Sequence, residues 1–312
     1  MRIGGTFEVP VNMLAKKDLN QLNEYIPKAT KQKFLFNGKT SLKYIIRLMN
    51  LGKHKHFPDS FGCTTLLPSY LCEDILISFK EENARYQFYN VKKVLSIDLK
   101  DIRKKIGEAK ALLVIHYFGF CQHDIKRLMK ICSNNSVYLI EDVAHSFLSN
   151  KGLPLGSFGD VSFSCFRKLL PVYDGSLLSI NYTFCEWKPK KIILPKMSDI
   201  SRRLLNKLDL TNMIKSRRSN YQYLSDNFKG FNKLVDGICP YGFMIKSDKR
   251  EIIKEKLIYN KVYPPIHWNL PEEVKEFKDS WDLSKRILTM PIDQRYNRKH
   301  MKYIIKVLTC PE

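Results

Sequence analysis

Apolar positions change period several times along the chain, and each change predicts an element. Leu42, Ile45, Ile46 and Met49 recur at helical spacing, so residues 39–50 read as a helix that Gly52 stops. A shorter helix is expected over residues 18–25. Residues 64–67 read as a strand ending at Pro68, and 72–79 as the next helix. Residues 94–97 read as a strand, followed by a helix over 99–106 with Asp98 as its N-cap. The run ALLVIH, residues 111–116, is continuously apolar, as a strand covered on both faces is. His123-Asp124 opens a helix to Cys132, and residues 137–140 form another buried strand. Alternating strands and helices indicate an α/β sheet with right-handed crossovers, whose ligands collect at the carboxyl ends of the strands. Residues 198–228 are helical and basic. Beyond about Asn232 the pattern is a strand (242–245), a helix (249–259), an extended stretch (261–268) and a closing helix (298–308). The expected architecture is a large α/β domain over residues 1–230, with a mainly parallel sheet flanked by helices. Its basic helical segment, about 190–230, leads into a small C-terminal α+β domain over 231–312.

Composition narrows the setting. The chain has 312 residues, 44% of them hydrophobic, enough for one large core and a smaller unit. No apolar run reaches the ~18 residues of a membrane span, and MRIGGTFEVPVNML lacks the pattern of a signal peptide. The eight Cys show neither CxxC pairs nor zinc-like spacing, which suggests a reducing cytoplasm and no disulfide framework. A net charge of +22 suits nucleic acid, a membrane surface or an acidic small molecule, and equally a lysine-rich composition. Lysines are spread over the whole chain, and the densest basic stretch runs over residues 188–218, including Lys190, Lys191, Arg202, Arg203, Arg217 and Arg218. No recognition helix or zinc-finger spacing points to nucleic acid.

The chemistry concentrates in residues 138–180. An apolar strand ends in Glu141-Asp142, and Lys168 sits between two further strand-like runs in an apolar setting. Desolvation there would lower the lysine pKa and free its amine. An aldehyde cofactor with a pyridine ring needs such a pair: an amine for a Schiff base, and a carboxylate that keeps the ring nitrogen protonated. Strand alternation turns Glu141 and Asp142 to opposite faces, so one of them faces the site. His145 could stack on a ring, though a lone His is more often a satisfied loop or core residue. His116 ends the ALLVIH strand and could line the same cleft. Arg167 stays protonated and suits an anion contact. Asn37-Gly38-Lys39-Thr40-Ser41 opens a helix, where free N–H groups and hydroxyls suit a phosphate as well as ordinary capping. It is not a nucleotide phosphate loop, because Lys33 stands where the first Gly is required. Ser164 is a second phosphate candidate or an ordinary strand serine. Tyr70 and Cys72, after Pro68, could flank a ring or belong to the core.

Seven segments in order resemble the pyridoxal-phosphate sugar aminotransferases of the DegT/StrS type, within the aspartate-aminotransferase-like fold. They are IGGTFEV, NGKTSLKYIIRLM, LLPSYLCEDI, VIHYFGFCQHDIKRLMKIC, LIEDVAHSF, GSFGDVSFSCFRKLLPVYDGSLLSIN and LSKRILTMPIDQRYNRKHMKYI. The resemblance implies that Lys168 forms the Schiff base with pyridoxal 5'-phosphate and that Asp142 pairs with the pyridine nitrogen. It puts His145 on the phenolic oxygen, and Ser164, Thr40 and the Lys39–Ser41 backbone on the phosphate. Cys72 falls where the family often has a stacking aromatic, so Tyr70 or His145 would substitute.

The chain departs from the family in a shortened lysine segment, YDGS for GDGG, and a missing Asn-Tyr-Arg-like stretch after Asn181. The implied function is transamination from glutamate to a keto sugar, nucleotide-linked, for surface polysaccharide or secondary metabolites, by a cytoplasmic homodimer. The alternative is a catalytically altered protein of the same fold with a regulatory or binding role.

Overall fold

The computed structural model describes residues 1–51, 64–121, 124–181 and 192–310. Gly52, His123, Lys188, Lys190 and Lys191 lie outside the described residues, as do Cys63 and Cys185. After a short β1 (Ile3–Gly4), the first half runs β2 (Lys31–Leu35), α1 (Gly38–Leu51), β3 (Thr64–Pro68), α2 (Glu73–Glu81) and β4 (Tyr86–Tyr89). It continues through α3 (Leu99–Lys105), β5 (Ala109–Ile115), α4 (Ile125–Asn134), β6 (Tyr138–Asp142), β7 (Val161–Phe163) and β8 (Ser176–Ile180). These strands form one seven-stranded sheet in the order β2-β8-β7-β6-β5-β3-β4. The block from β7 to β4 is parallel, whereas β8 and β2 pair antiparallel at one edge. All seven residues of β5 are buried, which accounts for the apolar run from residue 111 onward; Lys110, also buried, places its ammonium on Met49 O (2.8 Å).

The helices begin where their polar flanks predict. Asp98 caps α3 by accepting from Lys100 N (3.0 Å), and Asp124 caps α4 by accepting from Arg127 N (3.1 Å). The short helix expected over 18–25 is a 3₁₀ turn, Gln21–Tyr25. The strand expected at 94–97 is instead a tight reversal. Leu95 adopts a left-handed backbone (φ 62°), Val94 is exposed, and only Val91 and Ile97 form a bridge. The strand of that region is β4, whose mixed burial hid it.

The basic helical stretch is two helices, α5 (Asp199–Lys207) and α6 (Leu210–Ser225), because Asp209 accepts from Asn212 N (3.0 Å) and starts a new helix. The C-terminal part contains β9 (Phe243–Lys246), α7 (Arg250–Tyr259), β10 (Val262–Tyr263), α8 (Lys278–Arg286), β11 (Ile287–Met290) and α9 (Arg298–Thr309). β9 and β11 pair antiparallel, while β1 pairs in parallel with β10. Gly4 N also donates to the Tyr296 hydroxyl (2.6 Å), so the N-terminus is stitched to the C-terminal part. The division expected at residues 230/231 falls between α6 and β9, and the apolar core runs across it: Tyr221, Phe243 and Met290 belong to the same buried cluster as Leu112 and Ile140.

Candidate active site

A cavity of about 240 Å³ opens at the carboxyl ends of β5 and β6 and the start of α1. Asp142, His145, Lys168, Cys72 and Lys39 all line it, although 129 positions separate Lys39 from Lys168 (168 − 39). The sheet brings the lysine turn and the acidic strand end to one place.

Asp142 ends β6 and is buried. Its Oδ1 accepts from Ala144 N (2.8 Å). Burial pushes its carboxyl up to about 6, against the Ala144 hydrogen bond and the charges of Lys168 and His116. Glu141 points to the opposite face, as strand alternation requires. There its carboxylate accepts from Phe158 N (2.8 Å), Gly159 N (2.5 Å) and Gly156 N (3.3 Å), tying down the loop before β7. His116 joins this network through Glu141 (2.7 Å) and does not line the cavity. Burial opposes its charge, but hydrogen bonds to Cys121 and Glu141 prevail and push it up to about 10. The expectation that His116 faces the cleft is thus corrected: its partner is the buried carboxylate that Asp142 turns away from.

Lys168 closes a short 3₁₀ turn, with its N–H on Cys165 O (3.1 Å). Burial alone pulls its pKa down, but Tyr241, Cys165 and Cys72 outweigh burial and the net shift is upward. The direction is thus opposite to the lowering expected from desolvation alone.

The start of α1 divides the phosphate candidates. Asn37 Oδ1 accepts from Thr40 N (2.8 Å) and Thr40 Oγ1 (3.0 Å), and the Ser41 hydroxyl pairs with that of Ser176 (2.7 Å). Neither Thr40 nor Ser41 lines the cavity; both hydroxyls serve the fold. The backbone N–H groups of Gly38 and Lys39 donate to no partner among the described residues, and both residues line the cavity. The Lys39 ammonium is held by Glu81 (3.0 Å).

Ser164 is also corrected. Its hydroxyl accepts from Leu177 N (2.9 Å) and faces a smaller cavity shared with Ser162 and Ser179. Alternation turns Phe163 and Cys165 toward the main cavity instead. Tyr70 has no exposed surface. Its hydroxyl donates to His267 O and its ring packs on Trp268 (5.5 Å), so it supports the cavity wall from behind.

The His145 ring stacks on Tyr241 (4.1 Å, 8° between planes), with Trp268 at 5.5 Å and 22°. Burial and the nearby Lys168 and His267 hold His145 neutral, and its Nδ1 is buried without a partner among the described residues. Cys72, beside Lys168, has its thiol pushed up by burial. Tyr241 and Trp268 carry no local signal in the sequence and arrive from the C-terminal part. Cys165 was legible only through the alternation that excludes Ser164. Arg167 is exposed at the cavity, as an anion contact would be. The arginines of α5 and α6 do not line it.

Residues 79–178 match the DegT/DnrJ/EryC1/StrS aminotransferase family. GDP-perosamine synthase of Vibrio cholerae is 34% identical over 91 residues, which are 28% of this chain and 24% of that protein. The matches span about a quarter of the length of the curated relatives. Among solved structures, Helicobacter pylori PseC, an aminotransferase involved in pseudoaminic acid biosynthesis, superposes with a TM-score of 0.80 at 14% identity, over 99% of this chain and 98% of that one. The PLP-form of the putative sugar aminotransferase Spr1654 from Streptococcus pneumoniae gives 0.76 at 15% identity, over 98% and 92%. Both likenesses concern the fold. The family match covers residues 79–178, about a third of the chain, and the solved structures share its fold.

Proposed function

We propose that this protein is a pyridoxal-phosphate-dependent aminotransferase that moves an amino group from glutamate to a keto sugar. The observation that carries the proposal is the convergence of Asp142 and Lys168 on one cavity at the start of α1. The residues fit the cofactor. Asp142 Oδ2 accepts no hydrogen bond from the described residues, so a protonated ring nitrogen would satisfy it. The free N–H groups of Gly38 and Lys39, at the positive end of a helix, suit a phosphate. His145 Nδ1 is a further unsatisfied polar atom in the cavity wall.

Bound there, pyridoxal phosphate would supply an aldehyde for amines and a ring that accepts electrons. Asp142 keeps a proton on the ring nitrogen by accepting its hydrogen bond. Lys168, once its nitrogen is free, takes a proton from the substrate carbon and returns it elsewhere, as general base and then acid. His145, fixed against Tyr241, holds one wall, and Trp268 excludes water from it. Arg167 at the cavity receives an anionic group, and the +22 charge draws in the diphosphate of a nucleotide-linked sugar. The reading includes a cytoplasmic homodimer working in surface polysaccharide or secondary-metabolite synthesis.

The test is a near-ultraviolet and visible spectrum of the purified protein with pyridoxal phosphate. A new absorbance band should appear, be bleached by borohydride with the cofactor left covalently attached, and be absent in Lys168→Ala. Without borohydride, glutamate should shift it. A spectrum identical to free cofactor plus protein would end the proposal, and a band indifferent to glutamate would exclude that donor.

A further inference from the structure

Arg217, in the middle of α6, is 1% exposed. Among the described residues no carboxylate pairs with it; all its acceptors are neutral oxygens. Its Nη2 donates to Leu169 O (3.3 Å), and Nη1 donates to Pro240 O (3.3 Å) and Tyr241 O (3.1 Å). Its Nε donates to Gln294 Oε1 (2.8 Å), and Gln294 Nε2 donates back to Leu169 O (3.0 Å). Burying a guanidinium without a counter-ion is costly, and the cost is met only by full hydrogen bonding. Only the planar fork of arginine can reach these acceptors together; a lysine ammonium is a single point.

What the fork joins has a meaning for the cavity. The Leu169 carbonyl follows Lys168 directly and takes two donors, one from each partner. The Pro240 and Tyr241 carbonyls flank the backbone of Tyr241, whose ring stacks on His145. Neither Arg217 nor Gln294 lines the cavity. We infer that Arg217 and Gln294 are positioning residues: they lock the turn bearing Lys168 to the segment bearing Tyr241, so that the amine and the His145 wall keep one relative placement. The functional importance of that placement rests on the role proposed above for Lys168. The lock itself does not depend on it.

The experiment uses cofactor-free full-length protein. Lysines compete for a limiting amount of acetic anhydride, and mass spectrometry compares labelling of Lys168 with that of Lys110. Lys110 is buried in β5 with its ammonium on Met49 O (2.8 Å), and it gauges general opening of the fold. In Arg217→Met, the ratio of Lys168 to Lys110 labelling should change by about tenfold, the scale of one lost hydrogen bond to a charged group. Arg217→Lys should restore only part of the parent ratio. Gln294→Met removes the second donor on Leu169 without touching the guanidinium, and it should move the ratio the same way by a smaller factor. That variant decides the matter if Arg217→Met does not fold. An unchanged ratio, or Lys168 and Lys110 labelling rising together, would overturn the inference. Failure of the parent protein to take up pyridoxal phosphate would instead sink the proposed function and leave this ratio readable.

Discussion

Asp142 shows most directly what the site costs the fold. Its folded carboxyl sits at about 6, above the ~4 of an unfolded aspartate. The native state therefore holds the proton more tightly. Below about pH 4 both states are protonated and the group carries no penalty; as pH rises from there through about 6, stability is lost. The loss amounts to roughly 2–3 kcal/mol at neutral pH. Asp142→Asn keeps the shape and removes the charge. Urea unfolding of cofactor-free protein should show this variant more stable than the parent at about pH 7.5, by ~2 kcal/mol, with the gap closing near pH 4. An equal or less stable variant at neutral pH would mean that the carboxylate is satisfied within the chain. At this scale the sequence was informative about residue type and poor about direction. Asp142, Lys168, His145 and Cys72 reach the cavity, whereas Ser164 and Tyr70 turn away from it.

At the start of α1 one side chain caps the helix while two backbone N–H groups stay open at the proposed phosphate position. Asn37 caps Thr40 N, while the N–H groups ahead of Thr40 remain free for an anion. Asn37→Ala should cost about 1 kcal/mol, as loss of a cap does. Asn37→Asp preserves the cap but places a negative charge beside the proposed phosphate position. It should unfold at the parent's temperature and bind pyridoxal phosphate about tenfold more weakly. Thermal melts with a cofactor titration separate the two effects; equal affinity in the Asp variant would move the phosphate away from α1. Elements with one clear period, such as α1, β5 and β6, were legible from sequence. Those whose burial mixes faces were not: β2 buries only Leu35 among its five residues, and residues 94–97 turn despite their apolar character.

Across the whole molecule, the C-terminal part does not stand apart from the sheet. β1 pairs with β10, Arg295 donates to Gly5 O (3.0 Å) and Thr6 O (2.8 Å), and one apolar cluster runs from β5 to α9. Two units sharing a core lose its burial together, so calorimetry should record one cooperative transition, with equal calorimetric and van't Hoff enthalpies. Two resolved transitions would show that the contact between the parts is weaker than its burial indicates. The same continuity explains the composition of the cavity, because Trp268 and Tyr241 reach His145 only through the packing of the C-terminal part.

What the sequence determined by itself is that a carboxylate, Asp142, ends a buried strand; Lys168 lies in a turn beyond β7 rather than at its end. An apolar run must stop where its strand leaves the core, so the polar residue that ends it marks the sheet's open edge. The tertiary structure alone decided which distant segments meet the site: Trp268 in front of Tyr70, and Arg217 buried beneath the lysine turn. That meeting joins segments far apart in the chain, and it is not encoded in a local pattern.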